Sequence, residues 1–193
     1  MNPIVSIIIP RLKGRRSDWL RQAIESVERQ TYPDIELLIV ESDKTEPENV
    51  VIGVNKSCGD IIKLLHDDDW LPDNSVELAV NSMAGYDFIH GQALLSTGQV
   101  YVPPTPTTIA NELKRTSIHN ATVYYRREMF EVPYLIDFDF HIRNLARGKK
   151  IGYCPNVLSF YRLHNDQNGG KPGRREWKQK IRNQLIKEYG KNT

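Results

Sequence analysis

The amino-acid sequence predicts an α/β protein with a single domain, in which helices flank a mostly parallel central sheet. Its 193 residues are 39% hydrophobic and 26% charged, the balance expected of one globular domain with a sizeable core. The run VSIII at positions 5–9 is typical of a strand that is buried on both faces. Helical and extended patterns then alternate, which indicates a parallel sheet.

The first three predicted elements form a strand, a helix and a second strand. The strand at residues 5–9 is closed by Pro10. Residues 18–30 carry apolar side chains at helical spacing, and Ser17 is a candidate amino-terminal cap. Residues 35–40 are again a short apolar run. Together these elements predict a βαβ unit.

The next predicted strand leads into a cluster of carboxylates. A short helix is expected at residues 48–57, with Gly59 as its terminator, followed by a strand at 61–65. Residues 67–69 are all aspartate. Because open α/β sheets bind ligands at the carboxyl ends of their strands, this position favours a functional site.

The second half of the chain has a less regular pattern. We divide the sequence into a domain over residues 1–170, with halves 1–95 and 96–170, and a basic amphipathic helix over 171–193. The remaining predicted elements are a helix at 72–84, a strand at 86–95, a hairpin at 96–98, extended segments at 118–125, 151–153 and 157–161, and helices at 139–146 and 174–189.

The carboxyl-terminal segment carries most of the positive charge. Residues 171–193 contain 8 Lys and Arg against 2 acidic residues, although the whole chain has a formal charge of only +2. Trp177, Ile181, Leu185 and Tyr189 recur every four residues and form one apolar stripe. The stripe either packs back onto the domain or docks at an anionic membrane surface.

Some classes of protein are not favoured by the sequence. No apolar run approaches the ~20 residues of a membrane-spanning helix, and the amino terminus lacks a signal-like segment. We therefore expect a cytoplasmic protein, with peripheral contact to the inner face of the membrane through the basic helix as an option. No base-stacking or recognition motif accompanies the basic tail, so nucleic acid is not an expected partner.

The acidic triplet has two interpretations. Asp67, Asp68 and Asp69 offer hard oxygen ligands, which suit Mg²⁺ or Mn²⁺ shared with the phosphates of a substrate. The alternative is a solvated turn. Trp70 and Leu71 follow directly and are expected to anchor the loop against the core, which favours the metal site.

Other candidate residues also have two interpretations each. Asp137 is either a general base in a cleft or a helix cap, and Asp139 suits the first turn of that helix. His164 is either a metal ligand or an exposed loop histidine. Arg126 either pairs with a phosphate or covers a solvated face.

Six segments of the chain are, in order, VSIIIP, AIESVERQTYPDIELLIVES, GDIIKLLHDDDWLPDNSVE, ATVYYRREMFE, DFDFHIRNLARGKKIGY and YRLHND. Together they resemble the conserved blocks of family 2 glycosyltransferases with the GT-A fold, which is Rossmann-like. The resemblance extends from about Val5 to Asp166. It implies a metal-dependent enzyme that moves a sugar from a nucleoside-diphosphate donor to an acceptor hydroxyl with inversion.

The resemblance also implies roles for individual residues. The half 1–95 would bind the nucleotide sugar, and the half 96–170 would receive a glycan or lipid-linked acceptor in surface glycan synthesis. Asp137 would deprotonate that acceptor. The expected metal ligands, for Mn²⁺ or Mg²⁺, are Asp68, Asp69 and His164. The expected nucleotide-binding residues are Pro10, Glu41, Asp43, Asp67 and Arg126, with Asp67 nearest the ribose.

The sequence departs from the family pattern at several of these positions. Glu41 replaces the usual base-reading aspartate, His66 stands at the acid position before the triplet, and Ile136 replaces the usual glutamate before the catalytic aspartate. The segment between Glu41 and Gly59 is short, so the chain resembles a trimmed family member. A nucleotide- or carbohydrate-binding module without turnover and a metal-dependent phosphohydrolase are therefore alternative functions.

Overall fold

A computed structural model describes residues 2–14, 16–105, 107–165, 167 and 173–190. Asp166, at the end of the family resemblance, and residue 170, at the expected domain boundary, lie outside the described residues. The described strands are β1 (Val5–Leu12), β2 (Ile35–Ser42), β3 (Ile61–Leu64), β4 (Phe88–Leu95), β5 (Val100–Tyr101), β6 (Tyr124–Arg126) and β7 (Ile151–Tyr161). The described α-helices are α1 (Ser17–Glu28), α2 (Glu46–Lys56), α3 (Ser75–Ser82), α4 (Ile109–Lys114), α5 (Asp137–Ala146) and α6 (Arg174–Tyr189).

The seven described strands form one mainly parallel sheet, which confirms the predicted fold class. The strand order is β2-β1-β3-β6-β4, with β5 on the same edge of β4 as β6 and β7 on the opposite edge. Strand β1 is parallel to both β2 and β3, and β4 is parallel to β7. The carboxyl ends of β1, β2 and β3 therefore meet at one edge of the sheet.

Strand β1 is buried on both faces, as its continuous β-branched run predicts. Val5, Ile7 and Ile9 pack in one cluster with residues of α1 and α3. Ile8, on the other face, packs in a second cluster with residues of α2 and α5. Helices thus cover both sides of the strand, and neither face of β1 is left to solvent.

Several predicted boundaries differ from the structure. Strand β1 continues through Pro10, because its pairing with β3 has already ended at Ile8 and the missing N–H breaks no bond to that neighbour. The helix at Ser17 begins at that residue instead of being capped by it. The segment 118–125 is not uniformly extended, because a 3₁₀ turn at Asn120–Thr122 precedes β6.

Helix α6 packs against the domain, which agrees with the first interpretation of its apolar stripe. Leu185 is fully buried in a cluster with Leu113 of α4 and Ile142 of α5. The guanidinium of Arg182 donates hydrogen bonds to the carbonyl oxygens of Glu112 and Leu113 at 2.7 and 2.8 Å. None of the described helices has the length and hydropathy that crossing a membrane requires.

Candidate active site

A cavity of about 370 Å³ lies where the acidic triplet meets the amino terminus of α5. The triplet follows β3, and Asp137 is the first residue of α5. The cavity brings Asp68 together with Asp137, two residues that are distant in the sequence. Its other acidic or basic lining residues are Glu46, His66, His119 and Lys178.

Asp68 and His164 form a direct pair. The Nε2 atom of His164 lies 2.9 Å from Oδ2 of Asp68, and the imidazole ring packs 4.6 Å from the ring of Trp19. The loop after β7 thus returns His164 to the triplet, 96 residues from its partner. The family resemblance placed both residues at the metal.

Asp69 is held inside the protein. Only 1% of its surface is exposed, and its Oδ1 accepts a hydrogen bond from the backbone N–H of Arg162 at 2.9 Å. Burial raises the pKa of Asp69 to about 7. The Arg162 guanidinium lies 4.9 Å from the rings of both Trp19 and Trp70. Asp69 and Arg162 therefore fix the shape of the acidic loop.

The donor atoms around the triplet suit a hard cation only in part. Among the described residues there is no group of three or more His, Cys, Asp or Glu arranged to hold a metal ion. Asp68 and His164 are adjacent donors, whereas Asp69 is engaged by Arg162. This set fits an ion such as Mg²⁺, which takes one or two protein ligands and completes its shell with phosphate oxygens and water.

A buried guanidinium joins two of the expected nucleotide-binding residues. The Nη1 atom of Arg11 lies 2.8 Å from Oε2 of Glu41, and its Nε lies 3.6 Å from Oδ2 of Asp67. Arg11 is 7% exposed and Asp67 is 3% exposed. The carboxyl ends of β1, β2 and β3 thus carry an alternating set of charges, with the cation between the two carboxylates.

Asp137 lies at the cavity with its carboxylate engaged by a neighbour. The hydroxyl of Tyr134 donates a short hydrogen bond to Oδ1 of Asp137. Burial and then the negative charge of Glu46 raise the pKa of Asp137. The preceding Ile136 is 5% exposed and belongs to the apolar cluster below α6. A carboxylate with a raised pKa is a stronger base than an ordinary carboxylate, which suits it to take a proton from a hydroxyl group.

Sequence reasoning missed Glu46, which lies at the start of α2. Its Oε1 is 2.9 Å from Nε2 of His66. Burial alone would lower the pKa of His66, but the hydrogen bond to Glu46 and the nearby carboxylates raise it to about 10. The sequence contains one pattern that could have located this residue. Thr45 and Glu48 form a capping box, and α2 therefore begins at Glu46 instead of at the predicted residue 48.

None of the five expected nucleotide-binding residues is among those that line the cavity. Glu41 and Asp67 contact Arg11, and the other three make separate contacts. Arg126 pairs with Ile61 at the amino end of β3, opposite the triplet, and its Nε donates to the carbonyl oxygen of Tyr86 at 2.9 Å. Asp43 forms an exposed ion pair with Lys13 at 2.9 Å. Pro10 is buried within β1. The structure therefore does not bring these three together with Asp68 and Asp137.

Comparisons with known proteins identify relatives by sequence. No family model matches the chain. The chain is 30% identical to an "Uncharacterized glycosyltransferase" of Rickettsia felis over 67% of its own length and 20% of that protein. It is 28% identical to a protein of the same name from Rickettsia bellii over 73% of its length and 19% of that protein. The chain thus spans about a fifth of each of these relatives.

Comparisons with solved structures show the same fold. Staphylococcus aureus TarS 1-349 in complex with UDP-GlcNAc matches with a TM-score of 0.70 and 11% identity, over 96% of this chain and 66% of that one. Its complex with UDP matches with a TM-score of 0.64 and 11% identity, over 95% and 65% of the two chains. Because only 11% of the residues are identical, the similarity to TarS shows a shared fold and no more.

Proposed function

We propose that this chain is a glycosyltransferase domain that transfers a sugar from a nucleoside-diphosphate donor to an acceptor hydroxyl. The observation that carries the proposal is the cavity that joins Asp68, at the carboxyl end of β3, to Asp137, at the start of α5. Relatives named glycosyltransferases support the activity. The UDP and UDP-GlcNAc complexes of TarS support a UDP-sugar as the donor.

The donor would bind across the carboxyl ends of β1, β2 and β3. Asp67 would face the ribose and Glu41 the base, while Arg11 between them sets their orientation. Asp68 and His164, with Asp69 behind them, would hold Mg²⁺ or Mn²⁺. That ion would supply the positive charge that neutralises the departing nucleoside diphosphate.

The acceptor would enter from the side of Asp137. Its carboxylate takes the proton from the acceptor hydroxyl as the oxygen attacks the anomeric carbon, and the carbon–oxygen bond to the diphosphate breaks. Attack from the face opposite the leaving group inverts the anomeric configuration. Asp137 lines the cavity whereas Arg11 and Glu41 do not, which supports separate donor and acceptor approaches.

The basic composition of the carboxyl-terminal segment supports a location for the reaction. Residues 171–193 carry 8 Lys and Arg against 2 acidic residues, a composition that is attracted to anionic lipid headgroups. We place the reaction at the cytoplasmic face of a membrane, with a glycan or lipid-linked acceptor and a surface glycan as the product.

Calorimetric titration with UDP, with and without Mn²⁺, tests the donor site. The expected result is binding that needs both the metal and Asp68, so that Asp68→Asn loses at least tenfold in affinity with Mn²⁺ present. Asp34→Asn, which removes an exposed carboxylate at the opposite, amino end of β2, is the matched control. Equal UDP affinity in wild type and Asp68→Asn would remove Asp68 from the metal site.

A binding module without turnover is the second candidate, and two observations favour it. Arg11 already occupies the space between Glu41 and Asp67, and the residue before Asp137 is a buried isoleucine. UDP binding by a protein that releases no sugar with any acceptor would support this candidate. Release of sugar that stops in Asp137→Asn would exclude it.

A further inference from the structure

A second cavity, of about 780 Å³, lies between α4 and α6. It differs from the candidate active site in its lining, although Thr116 lines both cavities. Three of its lining residues are basic, namely Lys114, Arg115 and Arg182, and none of those that the structure describes is acidic. This cavity therefore presents a local excess of positive charge, which favours an anionic ligand.

Two of these cations are not neutralised by the protein. The side chains of Lys114 and Arg115 are exposed, and neither forms an ion pair in the part of the chain that the structure describes. Arg147, by contrast, is paired with Glu131 at 3.0 Å. The charges of Lys114 and Arg115 are therefore available to a ligand that approaches from solvent.

The third cation is held in a fixed position. The guanidinium of Arg182 donates hydrogen bonds to two carbonyl oxygens at the end of α4 and, at 2.8 Å, to Oγ1 of Thr116. It also lies 5.2 Å from the ring of Phe138. All of these partners are neutral. The carboxylate of Glu112 attracts Arg182 from inside the domain, but Glu112 is fully buried and does not line the cavity.

Apolar side chains lie beside the cations. Ile186 lines the cavity together with Leu113 and Ala110, and Ile186 is 44% exposed. It is not part of the apolar stripe that packs α6 against the domain. Basic groups next to an exposed aliphatic side chain suit an amphiphile, in which a phosphate is joined to hydrocarbon. A small inorganic anion would make no use of the apolar wall.

We propose that this cavity binds the phosphate headgroup of an anionic lipid, with Lys114, Arg115 and Arg182 around the phosphate and Ile186 against the glycerol and acyl carbons. The inference goes beyond the proposed function, because none of these residues belongs to the donor site or takes part in the proton transfer. Since Thr116 also lines the active cavity, docking would hold that cavity close to the lipid surface.

Co-sedimentation of the full chain with lipid vesicles tests the site. The vesicles contain either phosphatidylcholine alone or equal parts of phosphatidylcholine and phosphatidylglycerol. The expected result is binding that requires phosphatidylglycerol and that weakens more than tenfold in the double variant Lys114→Gln/Arg115→Gln, because each cation near an anionic surface contributes severalfold. Arg182 is left unchanged, since its hydrogen bonds join α6 to α4.

The matched control is the double variant Lys180→Gln/Lys187→Gln. Both lysines are exposed on α6 and neither lines the cavity, so the control removes the same charge from the same basic region. At about 0.15 M salt, charges outside the contact are screened over ~8 Å, and the control should stay within about threefold of the wild type. Equal losses in the two double variants would show a general attraction of the basic helix and would overturn the site. Equal binding to both kinds of vesicle, or to neither, would also overturn it.

Titration with glycerol 1-phosphate and with inorganic phosphate separates the lipid from a soluble source of the same group. The expected result is that neither binds as tightly as the vesicles, because neither contacts Ile186 with an acyl chain. A soluble phosphate that binds at least as tightly as the vesicles, and loses its binding in Lys114→Gln/Arg115→Gln, would overturn the assignment to a lipid.

UDP titration of the same proteins distinguishes this inference from the proposed function. Lys114→Gln/Arg115→Gln should keep the UDP affinity of the wild type while its vesicle binding falls. A protein that docks at phosphatidylglycerol through these residues and does not bind UDP would contradict the transferase and support the lipid site. UDP binding without vesicle binding would do the reverse, and the absence of both would reject both.

Discussion

At the scale of single residues, the acidity of Asp137 depends on the groups around its cavity. Glu46 adds a negative charge from α2, while His66 and Lys178 add positive charges from the loop after β3 and from α6. Tyr134 donates the hydrogen bond that stabilises the carboxylate. Burial and Glu46 prevail, so the pKa of Asp137 is raised.

Removing the charge of Glu46 should move the pH dependence of sugar transfer. A general base must be deprotonated, so activity falls as pH falls through the pKa of Asp137. Glu46→Gln removes a nearby negative charge and lowers that pKa, because the carboxylate is then easier to form. We expect the acid limb of the kcat/KM profile to shift to lower pH.

The measurement is the pH profile of sugar release from the donor, compared with that of Glu48→Gln. Glu48 lies on the same helix and bonds to Thr45 instead of lining the cavity. An acid limb that stays at the same pH in Glu46→Gln would show that its charge does not act on Asp137.

The residues of the candidate site could be predicted from the sequence where they are close together along the chain. Asp67, Asp68 and Asp69 are contiguous, and Asp137 lies in a short acidic repeat. Arg162 was missed because its backbone bond to Asp69 spans 93 residues. Arg126 was wrongly expected at the nucleotide. It ends β6, which runs antiparallel to β3, so Arg126 lies beside Ile61 at the amino end of β3, and the sequence pattern does not reveal this direction of pairing.

At the scale of elements, β3 holds a buried lysine among apolar neighbours. Lys63 is fully buried, and its ammonium donates a short hydrogen bond to the carbonyl oxygen of Ala121. Its Nζ also lies 4.9 Å from the ring of Tyr124 on β6. Desolvation lowers the pKa of Lys63 to about 7. The charged form of this side chain is therefore costly to keep in the sheet.

Lys63→Met should change how stability depends on pH. Between about pH 7 and 10 the folded chain binds fewer protons on Lys63 than the unfolded chain, so this residue makes the wild type more stable as pH rises. The slope of the wild type should exceed that of Lys63→Met by up to about 1.4 kcal/mol per pH unit. Urea unfolding at several pH values measures both slopes.

Comparing the two proteins cancels the contribution of His66, whose raised pKa acts in the opposite direction. Lys56→Met, at an exposed lysine at the end of α2, is the control and should keep the slope of the wild type. Parallel pH profiles of wild type and Lys63→Met would show that Lys63 stays protonated in the sheet.

Strands and helices could be predicted from the sequence where their apolar residues recur at a regular spacing. The β-branched run of β1 and the helical spacing in α1 and α6 gave correct types. The prediction of two extended segments at 151–153 and 157–161 was incomplete. They form one strand, β7, whose register against β4 shifts near Pro155, and a bulge of this kind depends on the neighbouring strand.

At the scale of the whole molecule, α6 is part of the domain that builds the site. Leu185 is packed with Ile136 and Phe138, the two residues that flank Asp137. Lys178, from the same helix, reaches the cavity. The domain division at residue 170 follows the change in composition, whereas the described contacts join this helix to α4 and α5.

Leu185→Ala should destabilise the whole domain. Removing a fully buried leucine side chain costs about 2–5 kcal/mol in the free energy of unfolding, because the cluster around it collapses only partly. Ile186→Ala is the matched control, since Ile186 is 44% exposed and should cost less than about 1 kcal/mol. Urea unfolding of both variants measures the difference.

The same pair of variants connects packing to the reaction. Loosening the cluster under Ile136 and Phe138 should misplace Asp137 and lower kcat for sugar transfer, while the donor residues at the ends of β1 to β3 keep their affinity for UDP. A Leu185→Ala protein with wild-type stability and kcat would show that α6 rests on the domain without supporting it. A loss of UDP affinity as large as the loss of kcat would instead indicate general unfolding.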